Sequence, residues 1–419
     1  MIENIAKIER FNFWKSDLHT GFLRDQYLQR ITKYDDTQLV RVLVGQRRVG
    51  KSYLLRQLIK NLIEKGVDRK ATLYINMEYL EYDFIKTPTD LVDFVNTVFS
   101  DVDGSAGYHV FIDEVQNIEG WERAVNSMSQ DFTRKISVYI TGSNSKLLSG
   151  ELATHLSGRY IQFLVLPYVF AEFCEIQNIP QNKESYIQFL SSGGMPELLN
   201  LPDEDSKRNY MQSLYDTIIL RDIVARQNVR DVVLLKDIFI FLANNISNLV
   251  SVQSLVKYFK GQNRNTNYQT VSQYISYLED AFVVHRCDRY NLAGKEVLSG
   301  TSKYYLNDLS FCNYLFGSML TGYGYQLENL IYLELRHREF EITCGTLRNK
   351  EVDFVATKGD QTEYYQVSFS LFDETTRERE FASLLAIKDN YPKNILTLDD
   401  FVGREIKGIR IKKVYKLCN

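Results

Sequence analysis

A chain of 419 residues is too long for one ordinary domain, and 44% hydrophobic with 25% charged residues is the balance of a soluble globular protein of about three or four domains. A formal net charge of −3 excludes a protein that coats nucleic acid by bulk electrostatics, so any such contact has to be local. Cys174, Cys287, Cys312, Cys344 and Cys418 show neither C-x-x-C spacing nor an even framework, which points to reduced thiols in the cytoplasm. Met1-Ile2-Glu3-Asn4 does not open a signal peptide and no apolar run is long enough to cross a bilayer, so export and membrane insertion are not expected.

Trp14, Leu18, Phe22, Leu23, Tyr27 and Leu28 recur at roughly helical spacing and predict a helix laid on the core. Val40 to Val44 then reads as a buried strand, followed by Gly45-Gln46-Arg47-Arg48-Val49-Gly50-Lys51-Ser52 and a helix whose Leu54, Leu55, Leu58, Ile59, Leu62 and Ile63 share one face. The octapeptide alone could fall in a turn by chance, but strand, glycine-rich loop and helix in that order predict a phosphate-binding loop. Gly45 and Gly50 let successive N–H groups converge on a polyphosphate, and the helix adds its positive dipole end. Lys51 is expected against the β- and γ-phosphates of ATP and Ser52 on Mg²⁺.

Ala71 to Ile75 predicts a strand, Leu91, Val92, Phe94, Val95 and Val98 an amphipathic helix, and Tyr108 to Ile112 a strand ending on Asp113-Glu114. On its own that pair reads as a solvated acidic turn. Downstream of a phosphate loop it reads as the site of phosphoanhydride hydrolysis, with Asp113 in the Mg²⁺ shell and Glu114 orienting the attacking water. Ile136 to Ile140 predicts another strand, ending in Thr141-Gly142-Ser143-Asn144-Ser145, where Asn144 or Ser143 could sense the γ-phosphate. Ser149 to Leu156 has a helical pattern, and Gly158-Arg159 precedes a strand over Tyr160 to Leu166. Arg159 is either a guanidinium supplied in cis or to a neighbouring copy's transition state, or a surface ion pair.

The phosphate loop, Ile112-Asp113-Glu114-Val115-Gln116, Thr141-Gly142-Ser143, Leu156-Ser157-Gly158-Arg159 and Leu166-Pro167-Tyr168-Val169-Phe170-Ala171-Glu172-Phe173 together resemble the archaeal-type ATPases of the AAA+ superfamily. Gly193-Gly194-Met195-Pro196-Glu197 and Arg221-Asp222 resemble that family's helical lid. The C-terminal third resembles the domain of unknown function that accompanies these ATPases, itself similar to a winged helix plus a restriction-endonuclease-like fold. The resemblance implies an α/β architecture: a P-loop core with N-terminal helices over 1–166, a lid over 167–230, a winged helix over 231–306 and an endonuclease-like α/β domain over 307–419. It supplies no substrate. The sensor asparagine is offset after Thr-Gly-Ser, and no lid arginine is unambiguous.

Within the winged-helix segment, Ser251 caps a helix with Val252, Leu255, Val256 and Phe259 inward, and a second helix starts near Asn267. A hairpin of Phe282 to Arg286 and Lys303 to Leu306 with its tip over Asn291 to Gly300 follows, and Arg264, Arg286, Arg289, Lys295 and Lys303 could meet DNA phosphates. Glu279, Asp280, Asp288 and Glu296 oppose that, and winged helices also dock proteins. In the last segment a helix opens at Gly324 to Asn329, and Asp353 on one strand lacks a carboxylate-x-Lys on the next, which carries Gln366 and Ser368. Glu328 is the candidate helix carboxylate and a displaced Lys350 or Lys358 the candidate substitute lysine, but the missing ligand charge and lysine on the second strand predict a nuclease fold kept for binding and not for cleavage. Two functions fit the whole chain: an ATPase that remodels a bound macromolecule, or a slow nucleotide switch or scaffold that fixes partner choice.

Overall fold

Strands covered on both faces read as largely apolar runs, and the unit Met1–Val165 is built on four of them with a half-buried fifth at one edge. The computed structural model describes residues 2–105, 107–131, 133–145, 156, 158–317, 322–400 and 405–417, divided between this unit and Leu166–Asn419. β1 (Val40–Val44), β2 (Thr72–Asn76), β3 (Tyr108–Asp113), β4 (Ile136–Gly142) and β5 (Tyr160–Leu164) form one parallel sheet in the order β2-β3-β4-β1-β5. All four predicted strands after the N-terminal segment, and β1, stand where the apolar runs place them. The expected helix over Ser149 to Leu156 falls, apart from Leu156, outside the described residues, as does Cys418.

The N-terminal segment departs from expectation. Helices α1 (Ile2–Ile8) and α2 (Asp25–Thr32) flank an irregular stretch instead of one helix through Trp14 and Phe22. That stretch serves the exposed edge of β2: the Asn12 side chain accepts from Tyr74 N–H at 2.7 Å and donates to Tyr74 O at 3.2 Å, and Trp14 Nε1 donates to Thr72 O at 2.7 Å. Covering an edge strand's backbone needs polar groups at strand spacing, which a helix does not offer. α3 (Lys51–Glu64), α4 (Pro88–Val98) and α5 (Trp121–Ser129) complete the unit.

In the unit Leu166–Asn419, α6 (Phe170–Gln177), α7 (Lys183–Ser192), α8 (Glu204–Thr217) with a π-helical turn over Ile218–Val224, and α9 (Val232–Asn244) come first. The pair Gly193-Gly194 is fixed by close packing: a Cβ on Gly193, whose φ is 75°, would lie 2.2 Å from Asp308 Oδ1, and one on Gly194 2.1 Å from Tyr168 O. Asp308 in turn accepts from Gly194 N–H at 2.7 Å and Ser310 N–H at 2.8 Å, while burial pushes its carboxyl up to about 6.

α10 (Val252–Gly261) and α11 (Tyr268–Asp280) are capped by Ser251 and Asn267 as expected. The hairpin that follows is longer than its apolar residues suggest: β7 (Val284–Asn291) and β8 (Glu296–Leu306) leave only 292–295 as the tip. Its polar outer half escapes a search for apolar alternation, and a register shift between Asp288 and Arg289 interrupts the period. β7 also pairs in parallel with β9 (Glu341–Leu347) through Arg289↔Cys344. The hairpin is therefore continuous with a nine-stranded sheet that includes β6 (Leu249–Val250), β10 (Lys350–Lys358), β11 (Gln361–Ser368), β12 (Lys393–Thr397), β13 (Glu405–Ile406) and β14 (Ile409–Lys413). α12 (Tyr323–His337) and α13 (Glu374–Leu385) pack on it.

Candidate nucleotide site

The loop between β1 and α3 takes the conformation its glycines allow. A Cβ on Gly45 would meet Val165 O at 2.2 Å, and Gly50, with φ 98°, is left-handed at the head of α3. Lys51 is buried and its Nζ donates to Gly45 O and Gln46 O, both at 2.9 Å, so the ammonium lies inside the curl of the loop. Gln46 and Val49 are buried, and Arg48 is exposed with φ 69°. Arg47 turns its guanidinium to Glu78 at 3.0 Å.

Parallel pairing brings the second half of the site to the same end of the sheet. Asp113 ends β3 opposite Asn76 of β2, and Ile112 pairs with Ile140 of β4. Asp113 is fully buried and hydrogen-bonded to the Ser52 side chain. It also accepts from the Tyr74 hydroxyl at 2.8 Å, from Asn76 Nδ2 at 3.1 Å and from the Thr141 hydroxyl. Burial and then the neighbouring Glu114 charge push its carboxyl above the usual range, while the Ser52, Thr141 and Tyr74 hydrogen bonds pull it down. A buried carboxylate tied to the hydroxyl at the head of the loop helix suits a cation shared by Ser52 and Asp113, so the residues fit Mg²⁺.

Glu114 has a left-handed backbone, φ 54° and ψ 50°, uncommon for a residue with a side chain. That turn sends it away from the strand direction; its N–H donates to Thr141 Oγ1 at 3.0 Å, and its Oε2 accepts from Ser143 Oγ at 3.2 Å and from Gln116 Nε2. Asn144 is buried one residue beyond Ser143. Lys51, Ser52, Asp113, Glu114, Ser143 and Asn144 all lie at the carboxyl ends of β1, β3 and β4. Tyr74 and Asn76 complete the shell of Asp113 and were not anticipated; the signal was the polar Asn76 closing an apolar strand, as Asp113 closes its own.

Arg159 stands apart. Its carbonyl accepts from Val40 N–H at 2.9 Å, which places it at the amino end of β5. Five residues of β1 then separate it from the phosphate loop, roughly 16 Å at strand rise, so it is at the opposite end of the sheet from the site in its own chain. The cis role is thereby removed. Its exposed side chain bonds only weakly to Asn126 Oδ1, at 3.3 Å.

The second unit holds a polar cavity of about 790 Å³. Lys303, expected to meet DNA phosphates, is buried there: its Nζ lies 2.8 Å from Glu328 Oε1, 2.7 Å from Glu351 Oε1 and 3.7 Å from Asp353 Oδ1. Burial lowers its affinity for a proton, yet the Glu328 and Asp353 charges more than reverse this and hold the ammonium well above its ordinary range. Asp353 is pushed well up by burial and by Glu328, with Lys303 opposing, and Val367 N–H donates to its Oδ2 at 2.8 Å. Lys303 of β8 thus sits among Glu328 of α12 and Glu351 and Asp353 of β10, while Lys350 donates to Ala382 O and Lys358 to Arg338 O. The other expected phosphate contacts also disperse. Arg264 pairs with Asp237, Arg286 with Asp288 at 2.6 Å, and Arg289 bonds Thr346 and Thr301. Only Lys295 remains an exposed cation of that set without a partner among the described residues.

Among the described residues no helix is long and apolar enough to cross a membrane. Residues 37–174 match the AAA domain family, and residues 183–321 match a domain of unknown function, DUF8612. The chain is 35% identical over 393 residues to an uncharacterized protein of Haemophilus influenzae, covering 93% of this chain and 96% of the other. It is 29% identical over 381 residues to the uncharacterized protein MJ1544 of Methanocaldococcus jannaschii, covering 86% and 82%. Among solved structures, the Walker-type ATPase PABY2304 of Pyrococcus abyssi aligns with a TM-score of 0.47 at 17% identity, over 70% of this chain and 96% of that one. With an AAA domain laid over the loop and both carboxylates, and a relative matched along almost its full length, this chain belongs to the archaeal-type family of AAA+ P-loop ATPases.

Proposed function

We propose that the protein is a Mg²⁺-dependent ATP hydrolase whose nucleotide state is coupled to a C-terminal half that binds DNA or protein. The observation that carries this is the hydrogen-bonded Ser52–Asp113 pair with Glu114 turned out of the strand beside it. Lys51, released from the Gly45 and Gln46 carbonyls, would bind the β- and γ-phosphates, and the loop N–H groups would hold their oxygens. Ser52 and Asp113 would hold Mg²⁺, which neutralises charge on the phosphate oxygens when bound. Glu114 would accept a hydrogen bond from water and turn its lone pair toward the γ-phosphate, with Ser143 fixing the carboxylate and Asn144 beside it sensing that phosphate. Steady-state ATP turnover with and without DNA tests the reading, and no turnover under any condition would refute it.

Arg159, exposed and remote from its own chain's loop, is assigned to the γ-phosphate of a neighbouring copy in a homo-oligomer. Turnover per chain should then rise with protein concentration. Arg159→Ala should bind ATP normally and hydrolyse it slowly at every concentration, and mixing it with Lys51→Ala should restore part of the activity. Turnover independent of concentration down to a demonstrated monomer would exclude this role.

The cavity around Asp353 is read as a binding remnant and not a nuclease centre. Gln366 offers a neutral oxygen, Ser368 cannot replace an ammonium, and the Lys303 ammonium is already shared between Glu328 and Glu351. Protein with Mg²⁺ or Mn²⁺ should leave plasmid and single-stranded DNA intact, with or without ATP. Metal-dependent nicking that disappears in Asp353→Ala would instead make this an ATP-regulated nuclease.

A further inference from the structure

Resting on the reading that the C-terminal half faces a macromolecular partner, we propose that the groove between the tips of the β7–β8 and β9–β10 hairpins and the end of α13 is a track for the sugar-phosphate backbone of nucleic acid. The groove encloses about 820 Å³. Its walls carry Lys295 from the first tip, Arg348 and Lys350 from the second, and Lys388 from beyond α13. All four are exposed. None forms an ion pair among the described residues, and Lys350 Nζ donates to the neutral Ala382 carbonyl. Asp389 is the one acidic residue of the lining, and its carboxylate already accepts from the Tyr364 hydroxyl at 2.6 Å and Tyr391 N–H at 3.2 Å. In a chain with a formal net charge of −3, four cations against one anion in a single trough is a local concentration of positive potential.

Two further observations give the groove direction toward a ligand. Lys295 and Arg348 both have φ 54°, the left-handed conformation in which glycine or asparagine would be less strained, so long cationic side chains stand where turn geometry alone disfavours them. The floor is aliphatic: Leu292, Leu347 and Ile387 line it and pack against the apolar core formed with Val352, Val355 and Leu384. Cations whose backbones are set in hairpin turns and beyond a helix end meet charges of regular spacing, as phosphates have, and the aliphatic floor accepts sugar and base faces. An acidic peptide would have to order its own flexible charged side chains as well and gains less. The sequence pattern missed this site because Lys295, the neighbouring Arg348 and Lys350, and Lys388 come from three distant segments that only the tertiary structure gathers.

The test is fluorescence anisotropy of labelled single- and double-stranded oligonucleotides titrated with the full chain, without nucleotide, over a range of salt. Arg348→Asn combined with Lys388→Gln keeps a residue tolerant of the left-handed turn; it should weaken binding on the order of tenfold and make the salt slope shallower by about two units, one per phosphate contact. ATP turnover and thermal midpoint should match the wild type. Arg286→Gln, which removes a cation already paired with Asp288, should bind as the wild type does. The proposal fails if the wild type binds neither oligonucleotide at low salt, or if the double variant keeps the wild-type affinity and slope. It also fails if polyglutamate binds, oligonucleotides do not, and the same two substitutions abolish it. Binding measured without ATP stands or falls separately from the ATPase reading.

Discussion

Replacing Glu114 with glutamine is expected to leave ATP and Mg²⁺ binding intact while slowing hydrolysis roughly 100- to 10,000-fold, the range for a group that accepts a proton or polarises water in the transition state. The amide keeps the length and shape of the carboxylate, so the Ser143 hydroxyl and the Thr141 bond to the backbone N–H retain acceptable partners. What is lost is negative charge on the water-facing oxygen. The substitution also removes a like charge beside buried Asp113, whose carboxyl should then ionise more readily, so metal affinity should hold or rise. Titration of a fluorescent ATP analogue alongside phosphate release separates the two effects. Lost binding with unchanged turnover per bound ATP would make Glu114 a structural residue.

Lys51→Ala should act at the earlier step. A charge-assisted hydrogen bond contributes about 1.5–3 kcal/mol, so removing the ammonium should weaken ATP binding by roughly 10- to 150-fold and take hydrolysis below detection. The fold without nucleotide should change little, because the Gly45 and Gln46 carbonyls that lose a donor border a loop built to meet polar ligands. The readout is the rise in thermal midpoint on adding ATP, which follows ligand concentration over Kd. It should be large in the wild type and nearly absent in the variant. Hydrolysis at the wild-type rate by Lys51→Ala would remove the loop from the mechanism.

The sequence by itself determined the nucleotide half. Strands buried on both faces are largely apolar, so β1, β3 and β4 show as apolar runs broken before their ends only by Arg41, His109 and Ser137 respectively. A polar residue that ends such a run, as Asp113 and Ser143 do, stands at the sheet's carboxyl edge wherever the neighbouring strands lie. Local chemistry also sufficed for the loop, since Gly45 and Gly50 report backbone shape directly. Long-range pairing was not legible. Register alone brought Asn76 and Tyr74 to Asp113 and put Arg159 at the far end from its own chain's loop. In the C-terminal half tertiary structure reversed the local reading. A lysine in a polar hairpin looks like a surface cation until Lys303 is found buried among Glu328, Glu351 and Asp353, three carboxylates from a helix and a strand distant in the chain. The cations that do reach solvent together come from separate turns, because a sheet gathers residues by strand order, and spacing along the chain does not encode that order.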